Sequence, residues 1–131
     1  MPASLLPITT ALTSIVVIWL IILSWRVIAG RRSTGATLGD GGNESLERRI
    51  RAQANLTEYA PLFVLLIAIL ELQNQNPTAL MALSAMFVIG RLGHGYALSF
   101  STKNILGRVG GMILTLTALL LAAIYGFVSL F

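Results

Sequence analysis

The stretch that decides how this chain is read is 47-ERRIRAQANLTEYAPL-62, where Arg48, Arg49 and Arg51 lead directly into a hydrophobic run that keeps Asn55, Glu58 and Tyr59. An ionised side chain near a bilayer centre costs roughly 2.5–3.5 kcal/mol on insertion scales, so a carboxylate placed there demands a partner. On an α-helix, Arg48, Arg51, Asn55 and Glu58 fall within about 80° of one another and Tyr59 lies about 20° beyond Arg48. Gln53 and Thr57 lie on other faces, so one stripe of this helix is selectively polar. Pro61 deprives the Thr57 carbonyl of its usual donor, which predicts a kink and a cavity at that level.

The rest of the chain is apolar enough to make that stretch a membrane helix. Of 131 residues, 56% are hydrophobic and 11% charged, and the mean hydropathy is +0.82. A span needs roughly 20 mostly apolar residues. Four segments meet this: Leu5–Ala29, Ile50–Leu72, Thr78–Phe100 and Leu106–Phe131. The expected fold is therefore an all-α integral membrane protein, a four-transmembrane-helix bundle forming a single domain over residues 1–131. The first span has no basic leader and an apolar run about twice that of a signal peptide, so it is expected to be retained.

All nine Lys and Arg residues flank two connections. Arg26, Arg31, Arg32, Arg48, Arg49 and Arg51 surround the first; Arg91, Lys103 and Arg108 surround the third. The positive-inside rule then puts loops 30–49 and 101–105 in the cytoplasm and both termini outside. The net charge of +4 does not point to nucleic acid, because no basic face with interleaved aromatics lies outside the spans. The chain has no cysteine, so any thiol chemistry must use a thiol brought by a ligand. One histidine and one nearby carboxylate make a poor ligand set, and no metal is expected.

The connections carry helix signals of their own. Residues 30–49 are rich in glycine and small polar residues, as a turning loop should be, and Ser45 is the expected N-cap of the second helix. Asn43–Ser45 fits a glycosylation sequon, but a cytoplasmic loop would not be modified. Pro77 suits a first helical turn, which makes helices two and three a tight hairpin. Ser101, Thr102 and Asn104 are candidate caps for the fourth helix.

Further polar residues join the stripe on helix two. Arg91 and His94 are three apart on helix three and share a face, among Gly90, Gly93 and Gly95, which permit close helix approach. Arg108 opens helix four, the wrong end of a helix dipole for a cation and the right end for an anion. Two plainer readings stand beside these: Glu58 as packing glue with a neighbouring arginine, and Arg108 snorkelling to lipid phosphate. Together, Arg51, Asn55, Glu58, Arg91, His94 and Arg108 describe a pocket for a small anion, and Glu58 among guanidinium groups suggests that the ligand also carries an ammonium. A ligand with carboxylates, an amine and a thiol fits this tally, and glutathione is the common molecule of that description.

The run RAQANLTEYAP at Arg51–Pro61, with LGDGGNESLERR before it and GRLGH at Gly90–His94 after it, resembles the MAPEG family, the membrane-associated proteins of eicosanoid and glutathione metabolism, and its small bacterial branch in particular. The resemblance implies a homotrimer of four-helix protomers with glutathione held between adjacent subunits near the cytoplasmic face. It matches Arg51, Asn55 and Glu58 to glutathione contacts on helix two, and Arg91 and His94 to contacts on helix three. It matches Arg108 to the arginine that holds the glutathione thiol as thiolate, the catalytic role. Three positions depart from mammalian members. Ala54 replaces a second arginine, so one carboxylate clamp is either absent or supplied by Arg48. Leu98 replaces a tyrosine, and Tyr96 points to the opposite side of a regular helix. Val109 replaces the serine of the prostaglandin E synthase.

The resulting expectation is an inner-membrane glutathione-dependent transferase or peroxidase, acting on an apolar electrophile or lipid hydroperoxide that enters from the bilayer. The alternatives are a non-catalytic lipid- or glutathione-binding membrane scaffold and a small multidrug transporter. Glu58 beside guanidinium groups argues against the last, which wants an unpaired carboxylate in a central cavity.

Overall fold

The computed structural model describes residues 5–131. They form four helices: α1 (Pro7–Thr34), α2 (Glu44–Leu72), α3 (Pro77–Ser99) and α4 (Ile105–Val128). Each is long and apolar enough to cross a membrane, and the chain is an integral membrane protein built as a four-helix bundle.

The helices run further than hydropathy alone suggests. α1 continues through Arg31 and Arg32 to Thr34, and α2 starts at Glu44, so the polar segment 30–49 shrinks to a connection over 35–43. Helix-end chemistry explains both extensions. Gly35 turns left-handed at φ 72° and its N–H donates to the Arg31 carbonyl, a closure that favours glycine, while the two arginines complement the dipole in the last turn. At the start of α2 the cap is Asn43, whose Oδ1 accepts from the Leu46 N–H at 3.0 Å. Ser45, the expected cap, lies within the first turn instead. Asn43 competes better because it stands outside the helix with an extended backbone, ahead of Glu44 and Glu47 in a first turn that favours acids.

Asn76 caps α3 ahead of Pro77. Of the three candidates before α4, Asn104 is the cap, accepting from Gly107 N–H at 2.7 Å. Pro61 does not interrupt α2, which is assigned as one helix from Glu44 to Leu72. A shallow apolar cavity of about 200 Å³ lies beside it, lined by Leu56, Thr57, Ala60 and Pro61 of α2 and by Thr13, Val16 and Leu20 of α1.

α3 and α4 make the most intimate contact. A Cβ on Gly90 would meet the Gly111 carbonyl oxygen at 2.8 Å, and one on Gly111 would meet the Gly90 carbonyl oxygen at 2.6 Å. Glycine at both positions therefore lets the two backbones touch, the usual way in which membrane helices gain packing. In the core, Phe63 of α2 stacks on Phe87 of α3 at 4.1 Å between ring centroids.

α1 begins without a side-chain cap of its own at Leu6. A residue distant in sequence replaces it. The Glu71 carboxylate, at the end of α2, accepts from Ile8 N–H and Thr9 N–H, each at 2.8 Å, and from the Thr9 hydroxyl at 2.6 Å. A negative charge at a helix N-terminus is favoured by the dipole, and this one also pins α1 to α2. Removing the carboxylate with Glu71→Ala should destabilise the bundle by about 1–2 kcal/mol, the typical scale of a lost N-cap. Unfolding in detergent micelles measures this, and an unchanged midpoint would show that the contact holds nothing.

Candidate functional site

The basic residues at one end of the bundle divide by what their side chains touch. Arg26 donates to the Ser99 hydroxyl at 3.3 Å and to the Ser99 carbonyl, and lies 4.1 Å above the Phe100 ring. Arg48 donates to the carbonyls of Ala97 at 3.0 Å and Ser101 at 2.6 Å. Arg49 donates to the Arg26 carbonyl at 3.2 Å. Arg26 and Arg48 thus satisfy carbonyls at the C-terminal end of α3, where a cation also complements the dipole.

Beside them opens a cleft of about 560 Å³, within the size range of small-molecule sites. Arg48, Arg51 and Asn55 of α2, His94 of α3 and Arg108 of α4 all line it. Five of the residues singled out from the sequence thus share one cavity. Its far wall is apolar, made by Leu98, Val109, Met112, Ile113 and Leu116. Leu98 and Val109 are two of the departures noted above, and both fall on this apolar wall. Tyr96 is exposed and stacks on Phe100 at 5.4 Å, away from the cleft.

Glu58 and Arg91 stand outside the lining. Glu58 pairs with Arg51 at 3.9 Å, and both side chains are about half exposed. It is the only ion pair among the described residues. Arg91 is 3% exposed and sits behind Asn55 and Met112. Its Nε donates to the Thr115 hydroxyl at 2.8 Å, Nη1 reaches the Asn55 carbonyl at 3.4 Å, and Nη2 faces the Met112 sulfur at 3.8 Å. The Tyr59 ring lies 5.2 Å from its guanidinium. Thr115, fully buried, passes the interaction on by donating to the Gly111 carbonyl at 2.8 Å.

His94 is fixed by a single contact, Nδ1 to the Arg108 carbonyl at 2.8 Å. A carbonyl can only accept, so Nδ1 carries a proton and, in the neutral ring, Nε2 keeps its lone pair. Nε2 is buried with no partner among the described residues. The ring that helps line the cleft thus also anchors the first turn of α4.

Two acidic residues complete the lining, Glu44 and Glu47 in the first turn of α2. Neither is among the residues singled out from the sequence: the expected Ser45 cap leaves Glu44 outside the helix, and Glu47 precedes the apolar span that starts at Ile50. The signal was available. Glu44, Glu47, Arg48, Arg51 and Asn55 follow one helical stripe at spacings of three and four, and that stripe becomes visible once the helix is started at the Asn43 cap.

Fold and site together define the class: a four-helix integral membrane protein with a charged cleft at the arginine-rich end of the bundle and an apolar wall leading from it. The sequence profile described as the MAPEG family matches residues 9–128. Inner membrane protein YecN of Escherichia coli strain K12 is 31% identical over 98 residues, covering 75% of this chain and 73% of that protein. YecN of the O6:H1 strain of the same species matches to the same extent. The chain belongs to the MAPEG family.

The burial of Arg91 gives a direct test of how the site is held. Thr115→Val removes the acceptor of Nε without changing shape, leaving part of a buried charge unpaired. Stability should fall by about 1.5–3 kcal/mol, the scale of a hydrogen bond to a charged group. Chemical unfolding in detergent reads the loss. A change under 0.5 kcal/mol would mean that Thr115 does not support Arg91.

Proposed function

We propose that the cleft binds glutathione and that the protein is a membrane-bound glutathione-dependent transferase or peroxidase acting on apolar electrophiles or lipid hydroperoxides. The observation that carries this reading is the composition of one cleft: Arg51 and Arg108 for carboxylates or a thiolate, Glu44 and Glu47 for an ammonium, and an apolar wall for the second substrate. Charge-assisted pairs of this kind hold a tripeptide's ends at defined places. Glu58 then acts on Arg51, orienting its guanidinium, while Arg91 adds positive potential from behind Asn55.

Arg108 is the catalytic residue in this scheme. A guanidinium beside the glutathione sulfur lowers the thiol pKa, and the thiolate is the nucleophile. In conjugation, the sulfur lone pair forms a bond to the electrophilic carbon as the leaving group departs with the bonding pair. With a hydroperoxide, the thiolate attacks the terminal oxygen, the O–O bond breaks and the alkoxide takes a proton, giving an alcohol; a second glutathione then displaces water as the disulfide forms. Orientation and thiolate stabilisation supply the acceleration.

A homotrimer, as the family resemblance implies, goes with this reading, a neighbouring copy covering the half-exposed Arg51–Glu58 pair. An inner-membrane location agrees with the name of the E. coli relatives, and the charge distribution supports placing both termini outside and the arginine-rich end in the cytoplasm. Leu98 and Val109 in the lining favour one second reading, a glutathione- or lipid-binding scaffold without turnover. The discriminating experiment compares wild type with Arg108→Ala for ultraviolet thiolate absorbance and for conjugation to a chlorinated aromatic. The expected result is loss of the thiolate signal and about a hundredfold drop in rate, the scale of one lost charge-stabilising donor. Binding of glutathione without thiolate formation in wild type would select the scaffold.

A further inference from the structure

Among the arginines lining the charged cleft, Arg108 is the one that no side chain holds. Arg48 is bound to two carbonyls and Arg51 to Glu58, whereas the Arg108 guanidinium makes no hydrogen bond or ion pair among the described residues. Where it points is therefore decided by its backbone, the first turn of α4. That turn is intrinsically weak. Gly107, Gly110 and Gly111 all fall within the first two turns of the helix, and glycine is a poor helix former.

The missing rigidity comes from α3. His94 Nδ1 donates to the carbonyl of Arg108 itself at 2.8 Å. Glycine at 111 admits this approach, because a Cβ there would meet the His94 backbone nitrogen at 2.6 Å and its Cβ at 2.9 Å. The turn of α3 that carries His94 is braced in its own right: Trp19 Nε1 donates to the Arg91 carbonyl at 3.3 Å, and the Trp19 ring fits against Gly95. A fixed helix thus holds the start of a weak one, at the residue whose side chain faces the cleft.

The same ring has little to offer a ligand directly. His94 is 4% exposed, its Nδ1 is engaged by Arg108 and its Nε2 is buried. Any influence on chemistry in the cleft passes through Arg108.

We propose that His94 is a positioning residue: its Nδ1–H fixes the first turn of α4 so that the Arg108 guanidinium meets the glutathione sulfur, while affinity is left to the other cleft residues. This role rests on the reading of Arg108 given above. It differs from the direct glutathione contact that the family resemblance implies for His94, and it separates binding from activation. Without the tether, the cleft still takes glutathione but holds it as the thiol.

The experiment compares wild type, His94→Leu and His94→Asn in detergent. Leucine fills the space without a donor, whereas an asparagine amide nitrogen stands near the place of Nδ1 and can donate to the same carbonyl. For His94→Leu, glutathione affinity should stay within about twofold, most of the ultraviolet thiolate signal should vanish, and kcat for conjugation to chlorodinitrobenzene should fall about ten- to a hundredfold. His94→Asn should restore the signal and most of the rate. Packing alone would rank the two variants the other way, since leucine is the better filler of a buried site. Hydrogen exchange over residues 105–112 reads the tether without ligand, and should quicken in His94→Leu but not in His94→Asn.

Equal thiolate signals in wild type and His94→Leu overturn the proposal, as does unchanged exchange. A loss of glutathione affinity beyond about tenfold in both variants also overturns it, by showing direct contact. Wild type that binds glutathione without ionising it overturns the reading of Arg108 and this role with it. Should His94→Leu fail to fold, His94→Gln, whose amide reaches the Nε2 position instead, takes its place with the same expected losses.

Discussion

The guanidinium of Arg91 is buried where α2, α3 and α4 meet, and no carboxylate among the described residues pairs with it. A charge in that position is tolerated only if its donors are satisfied and its field is used. The donors go to neutral groups: the Thr115 hydroxyl, the Asn55 carbonyl and the Met112 sulfur. The Gly90–Gly111 contact brings α4 close enough for Thr115 to serve, and Thr115 in turn is held by the carbonyl of Gly111. Backbone approach, buried hydroxyl and buried cation form one unit behind the cleft.

The same principle sorts the remaining arginines. Arg26 and Arg48 spend hydrogen bonds on the open carbonyls at the end of α3, so their roles are architectural even where Arg48 also lines the cleft. Arg51 and Arg108 face the cavity, one steadied by Glu58 and the other by its place in the first turn of α4, whose backbone is tied to His94. At the opposite end, with no cation present, a carboxylate does the capping: Glu71 closes α1. The C-terminal end of α3 and the N-terminal end of α1 are thus each closed, from a neighbouring helix, by the charge that the dipole favours there.

Much of this was legible in the sequence. Four spans, the polar stripe on helix two and the gathering of Arg51, Asn55, His94 and Arg108 follow from hydropathy, periodicity and spacing, which are local properties. The missing parts were of two kinds. Glu44 and Glu47 were lost because hydropathy marks where lipid ends, whereas a helix ends where its caps are, and Asn43 lies well outside the apolar run. Glu71 as the cap of α1, and Thr115 as the support of Arg91, join residues far apart in the chain, and no local pattern marks either. The Ala54 departure inside the motif removes a clamp that Arg48 does not obviously restore, since its guanidinium is already engaged by two carbonyls.

An arginine-rich cleft backed by a buried, unpaired Arg91 should be occupied by an anion, and glutathione is the anion proposed for it. Native mass spectrometry of protein purified gently from its own membrane tests this most directly. The account predicts retained glutathione, lost when Arg51 is replaced by alanine, with thermal stability rising on its addition. Protein that carries none, and whose stability does not respond to glutathione at millimolar concentration, would contradict it.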